Sequence, residues 1–276
     1  MKPLALVIEN DAGTRKLLDV LLSRIGMDVD GIASGDDAFV VLQHVRYDVL
    51  IVDLLLPGRN GMELLEWLAA TRPEMLGRAV VISSVAPKQL EAVRERWPAV
   101  RTIRKPFELG EVLELTQSIA ATREPRVQTA EEKFCRFSMR AGAKAGVVVA
   151  ANAIAHEPLL SFGYSREMLA GFFPIPADAP YPLCTAIREE KPLWIASLVA
   201  AAPDYPMLAP VFEKNASRAL AAVPLRDGER VVGAAGWSFR EPRLFSEPEQ
   251  QVLIGIANSI REWLDLRGAA AATRLS

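Results

Sequence analysis

Val49-Leu50-Ile51-Val52-Asp53 is an unbroken apolar run closed by an acid. Without alternation, such a run reads as a short strand buried on both faces, as in a parallel sheet covered by helices. Residues 4–8 form a matching run that ends in Glu9, Asn10 and Asp11, and residues 27–32, 79–82 and 100–104 read as three further strands. Between them, apolar residues recur at helical spacing: Leu17, Leu18, Leu21, Leu22 and Ile25, then Leu64, Leu65 and Leu68, then Leu109, Val112, Leu113 and Ile119. A short helix is expected at 90–93. Ser34-Gly35-Asp36-Asp37 opens the helix after the second strand, with Ser34 as N-cap and acids in the first turn. Five strand–helix units in series predict an α/β domain with a doubly wound parallel sheet over residues 1–121.

The texture changes after residue 121. Residues 122–134 contain Thr, Arg, Glu, Pro and Gln and read as a linker running into a helix. Residues 135–267 read as an α+β domain with an antiparallel sheet. Two apolar runs, 219–225 and 231–239, flank Arg226-Asp227-Gly228-Glu229, a strong hairpin signal. Ser246-Glu247-Pro248-Glu249 has capping-box spacing and opens the last helix. Residues 268–276 are expected to form a frayed tail.

With 276 residues, half of them apolar, the chain accommodates two folded domains rather than a disordered polymer. Thirty-two basic against 34 acidic side chains leave a net charge of −2, which argues against a nucleic-acid partner. Cys135 and Cys184 make no disulfide framework. No signal-peptide core and no apolar run near the ~18 residues of a membrane span is present, so a cytoplasmic protein without membrane contact is expected.

In open α/β sheets, chemistry gathers beyond the carboxyl ends of the strands. Here those ends carry Glu9, Asn10, Asp11, Asp53, Ser83, Ser84 and Lys105. Clustered carboxylates need a cation between them, and oxygen ligands with few from protein favour Mg²⁺. Carboxylate, metal, hydroxyl and ammonium together make a grip for a phosphoryl group. Asp53 would be the nucleophile, with metal and lysine neutralising the oxygens in the transition state.

These residues resemble the receiver domain of two-component response regulators. The resemblance rests on Val7-Ile8-Glu9-Asn10-Asp11, Val52-Asp53 with Pro57-Gly58 and Gly61, Ser83-Ser84, and Lys105-Pro106-Phe107. It implies a flavodoxin-like sheet and phosphoryl transfer onto Asp53 from a phosphohistidine on a sensor histidine kinase or phosphotransfer protein. It further implies metal binding by Glu9 and its neighbours, a switch hydroxyl at Ser84 (Ser83 if the alignment slips by one), a phosphoryl-binding Lys105, and commonly a cis bond to Pro106. Asn10 stands where the family usually has a second acid; its amide oxygen can ligate Mg²⁺ but brings no charge, and Asp11 is the candidate to compensate. Thr102 stands where a switch aromatic is usual. Leu55, two residues past Asp53, is placed to screen an acylphosphate from water. His44 and His156 read as a surface residue and a turn residue, and no glycine-rich ATP loop marks the chain as a kinase.

Residues 135–267 resemble a GAF domain, a small ligand-binding or dimerising module. The signals are Phe162-Gly163-Tyr164-Ser165, residues 180–195, Asp204-Tyr205-Pro206, and the paired runs 219–225 and 231–239. Trp194, Phe172, Phe173, Tyr181 and Trp237 are candidates to line a pocket, or else to fill the core. Cys184 lacks the neighbouring histidine expected of a bilin site, and the ligand is left unspecified. The helices at 131–140 and 247–267 are expected side by side at the sheet edge. Their Leu253/Ile256/Ile260/Trp263 stripe would form a homodimer seam or cover its own sheet. Two functions remain: a phosphorylated response regulator without catalytic centre of its own, or a scaffold of two docking modules that takes no phosphate.

Overall fold

The structure is a computed structural model that describes residues 2–209 and 215–264. The chain divides into two compact units between Val127 and Gln128, inside the expected linker. The second unit already includes the helix Ala130–Arg140, so it starts ahead of residue 135. The expected tail, 268–276, and the end of the second domain beyond 264 lie outside the described residues.

In the first unit, strands β1 (Leu4–Ile8), β2 (Asp28–Ile32), β3 (Val49–Val52), β4 (Ala79–Ser83) and β5 (Arg101–Arg104) alternate with helices α1 (Ala12–Arg24), α2 (Gly35–His44), α3 (Gly61–Thr71), α4 (Pro87–Arg96) and α5 (Leu109–Ala121). The sheet is parallel with order β2-β1-β3-β4-β5, the doubly wound arrangement expected. β1, β3 and β4 are buried throughout, which is why they read as unbroken apolar runs. Ala5, Val7, Val49, Ile51, Val80 and Ile82 pack with Leu18 and Leu22 of α1 and with Val112 and Ile119 of α5. Ser34 caps α2 as expected, its hydroxyl accepting from the Asp37 amide at 3.2 Å. α4, expected to be short, runs ten residues.

Register sets the site. Ile8 lies opposite Val52, so Glu9 and Asp53 leave neighbouring strands side by side. Gly61 lets α3 start directly behind them: a Cβ there would meet the Asp53 carbonyl oxygen at 2.3 Å.

In the second unit, α6 (Ala130–Arg140) leads into an antiparallel sheet of β6 (Ala145–Ala150), β8 (Pro158–Phe162), β10 (Leu193–Ile195), β11 (Ala219–Asp227) and β12 (Arg230–Phe239), in the order β10-β11-β12-β6-β8. A two-stranded ribbon pairs β7 (Ala155–His156) with β9 (Ile175–Pro176). The helices are α7 (Arg166–Phe172), α8 (Pro182–Glu189), α9 (Leu198–Ala201) and α10 (Glu247–Leu264). In the hairpin, pairing persists to Asp227 opposite Arg230, and Gly228 takes the positive φ of 62° at the first loop position.

α6 packs on β6 and β8 and α10 on β11, so the two helices meet across one face of the sheet rather than at its edge. Of the two readings of the stripe, the cover for its own sheet is what the structure places there: Leu253, Ile256 and Ile260 are buried within their own domain, and Trp263 stacks on Phe137 at 5.6 Å between centroids. The reason is spacing, since residues three and four apart on α10 all point at the sheet it covers. Cys135 and Cys184 are free and buried. Among the described residues, no helix is long and apolar enough to cross a membrane.

Candidate functional site

Asp53 follows β3 and is 3% exposed; Glu9 follows β1 and is 1% exposed. Two nearly buried carboxylates this close are tolerable only with a counter-charge. Lys105, the residue after β5, supplies it. Its ammonium donates to Glu9 Oε2 and to Asp53 Oδ2, both at 2.6 Å. Burial pulls the Lys105 pKa down, but the hydrogen bonds and charges of Asp53 and Glu9 outweigh it, and the net shift is upward. The bond to Pro106 is cis, in line with the resemblance.

The other Asp53 oxygen, Oδ1, accepts from the Ser83 hydroxyl at 2.7 Å and from the Leu55 amide at 3.0 Å. This corrects the choice of Ser84. β4 extends one residue further than its apolar run, through Ser83, and side chains alternate across a strand. Ser83 is therefore fully buried on the Asp53 side and Ser84 is exposed. Leu55 lies at the rim, 53% exposed.

Asn10 and Asp11 are both exposed. Asp11 Oδ1 caps α1, accepting from the Thr14 amide at 2.7 Å, and that hydrogen bond lowers its pKa. Asp11 thus has a structural task in place of simple compensation for Asn10. Arg15, which sequence reasoning passed over, donates to the Glu9 carbonyl at 2.7 Å and the Asn10 carbonyl at 3.2 Å and pins the turn that carries both. Its signal was one helical turn of spacing behind Asp11. Thr102 is half-buried and accepts from Arg94 of α4.

Among the described residues, no three His, Cys, Asp or Glu side chains gather into a metal cage. That is compatible with Mg²⁺, which takes one or two carboxylates and completes its shell with water and phosphate oxygens. Glu9 and Asp53 are two such carboxylates, and Asn10 follows Glu9 at an exposed position. In chemical terms the site offers a carboxylate held by hydroxyl and ammonium, with a second carboxylate adjacent.

The second domain brings together only some of its predicted pocket residues. Phe172, Phe173 and Tyr181 border a cavity, joined by Tyr164 and Met168. Trp194 and Trp237 do not. Both are in register with Ala221, so both project from the same face of the sheet, the face under α6 and α10. Trp237 is fully buried there, its indole donating to Ser138 Oγ at 2.8 Å, and Trp194 packs on Phe245 at 5.4 Å. Gly236, one residue earlier, faces the cavity. Cys184 is buried, and its thiol donates to the Pro176 carbonyl at 3.5 Å.

The response regulator receiver domain matches residues 5–117 and the GAF domain matches residues 127–265. Protein-glutamate methylesterase/protein-glutamine glutaminase 5 of Myxococcus xanthus is 30% identical over 198 residues, 66% of this chain and 54% of its own length. The phosphate regulon transcriptional regulatory protein PhoB of Rhizobium meliloti is 31% identical over 128 residues, 46% of this chain and 56% of its own. The chain spans about half the length of these curated relatives. A sensor protein from Polaromonas sp. of known structure is 26% identical with a TM-score of 0.40, covering 45% of this chain and 100% of that one. The chain therefore belongs to the GAF domain family over residues 127–265 and carries a response regulator receiver domain over residues 5–117.

Proposed function

We propose that this protein is a two-component response regulator in which Asp53 accepts a phosphoryl group from a phosphohistidine of a partner kinase or phosphotransfer protein. The observation that carries the reading is the environment of Asp53: one oxygen on Ser83 and Leu55, the other on Lys105, with Glu9 sharing the same ammonium. An Asp53 oxygen attacks phosphorus; the new P–O bond forms as the P–N bond breaks, and the imidazole leaves. Lys105 moves from pairing with carboxylate to pairing with phosphoryl oxygen, and the Ser83 hydroxyl turns its hydrogen bond to the same group. Glu9, Asp53 and Asn10 are the residues that would hold Mg²⁺, which when bound would neutralise part of the phosphoryl charge.

The added charge then redistributes contacts along β4, β5 and their helices. Thr102 sits among them without an aromatic ring, so the readout runs through its hydrogen bond with Arg94 rather than through a large rotamer change. The output passes to the GAF domain, with no catalytic centre required in this chain.

The test is incubation of the full chain with Mg²⁺ and acetyl phosphate, followed by intact mass. One phosphoryl group is expected on the wild type and none on Asp53→Ala, with beryllofluoride protecting the wild type alone. Lack of any phosphoryl uptake, or uptake that survives Asp53→Ala, would overturn the reading and leave a scaffold of two docking modules.

A further inference from the structure

Arg15 stands where a helix tolerates a cation least. It is the fourth residue of α1, and its own amide closes the first helical hydrogen bond, to the Asp11 carbonyl at 2.9 Å. The N-terminal end of a helix carries partial positive charge, and beyond the capping Asp11 no acid lies in the first turn to offset an arginine. The half-buried side chain nevertheless turns back toward that end. One guanidinium nitrogen donates to the Glu9 carbonyl at 2.7 Å and to the Asn10 carbonyl at 3.2 Å.

A glycine in another strand makes room for this path. Gly31 is an exposed residue within β2, the edge strand of the sheet, and pairs there with Val7. Glycine weakens a strand, and inside one it often marks a place of close approach. A Cβ on Gly31 would touch Arg15 Cγ and Cδ, each at 3.4 Å. The group that approaches Gly31 is therefore the stem of Arg15.

The two carbonyls that Arg15 holds belong to the residues that would hold Mg²⁺ with Asp53. Glu9 brings a carboxylate, whose charge attracts a cation over distance. Asn10 brings only an amide dipole, whose attraction falls off faster. Such a donor contributes only where the backbone already fixes it, so a rigid turn matters more here than beside a second acid.

We propose that Arg15 is a positioning residue of the Asp53 site: it fixes the turn between β1 and α1 so that Glu9 and Asn10 are presented to Mg²⁺, and Gly31 admits its stem. The inference rests on the reading of Asp53 as a metal-dependent phosphoacceptor. Its sign sets it apart from simple electrostatics. Arg15 brings positive charge close to a cation site, so Coulomb repulsion alone has Mg²⁺ binding tighten when that charge is removed. Positioning requires the opposite.

The full chain, labelled with ¹⁵N, is titrated with MgCl₂ and no phosphodonor, and the dissociation constant is read from the amide shifts of Asp53 and Leu55. Arg15→Met keeps the stem and loses the donors, and is expected to bind Mg²⁺ about tenfold more weakly than the wild type. Arg15→Lys keeps a donor and is expected to lie between the two. Gly31→Val leaves Arg15 in place but crowds its stem; valine suits a strand, so Mg²⁺ affinity is expected to fall while the melting temperature does not. Unchanged or tighter Mg²⁺ binding in folded Arg15→Met would overturn the role of Arg15 and leave phosphoryl uptake on Asp53 standing. So would an Arg15→Lys protein as weak as Arg15→Met. If Arg15→Met fails to fold, Gly31→Val decides, and wild-type affinity there would overturn the proposal. A wild type whose Asp53 and Leu55 amides ignore Mg²⁺ would overturn it together with the metal-dependent reading.

Discussion

Replacing Lys105 with methionine keeps the length of the side chain and removes its charge. The ammonium touches Glu9 Oε2 and Asp53 Oδ2 at 2.6 Å each. The two oxygens are then at most about 5 Å apart, and at an effective dielectric near 20 their unscreened repulsion is about 3 kcal/mol. That lies at the lower end of the cost of breaking a buried ion pair, which suits a lysine that is partly exposed. The assay is peptide-resolved hydrogen exchange across β1 and β3, where about 3 kcal/mol corresponds to exchange faster by roughly 150-fold at pH 7.5. The sign with pH follows from linkage. Lys105 has its folded-state pKa raised, so its contribution is complete at neutral pH and is lost only as pH rises through the alkaline range. A deficit that stays equal at pH 7.5 and at a pH above that raised value would show that lost packing, not charge, is responsible. No deficit at all would refute the shared ion pair.

Ser83→Ala removes a buried hydrogen bond to a carboxylate and should cost about 1.5–3 kcal/mol, while Ser84→Ala at an exposed position should stay within about 0.5 kcal/mol; paired thermal melts distinguish them, and equal effects would return the role to Ser84. Glu249 is held down to about 2 by hydrogen bonds from the Ser246 hydroxyl and amide and then from Arg243. Its support for α10 is therefore complete above the usual carboxylate range and lost as pH falls toward 2. Melting temperatures taken from pH 5 to 2.5 should decline more steeply in the wild type than in Glu249→Gln, and parallel declines would count against the cap.

Much of the receiver domain was legible because its signals are local. A strand buried on both faces writes itself as an apolar run, and the acid or lysine that ends the run marks the carboxyl edge of the sheet. Glu9, Asp53 and Lys105 could thus be named before any coordinates. Ser34 as a helix cap and Gly228 in the hairpin were equally local, because each depends on a few consecutive residues.

What failed were assignments of face. Ser83 and Ser84 are adjacent and chemically identical, and only the length of β4, set by its pairing of Ser83 with Arg104, decides which hydroxyl meets Asp53. Trp194 and Trp237 look like pocket residues by type, but their shared register with Ala221 turns both toward α6 and α10. The α10 stripe had two readings by spacing, a homodimer seam or a cover for its own sheet, and Leu253, Ile256 and Ile260 are buried on the sheet. In each case the local sequence specifies an element and its amphipathic period, since dihedral preference and side-chain spacing act over a few residues. The partner that an element's face meets depends on hydrogen-bonded register between segments far apart in the chain, and a slip of one residue reverses every side chain. The amino-acid order alone therefore determined a parallel sheet with an acid–lysine edge followed by an antiparallel domain; tertiary pairing alone decided which hydroxyl joins Asp53 and which aromatics surround the cavity.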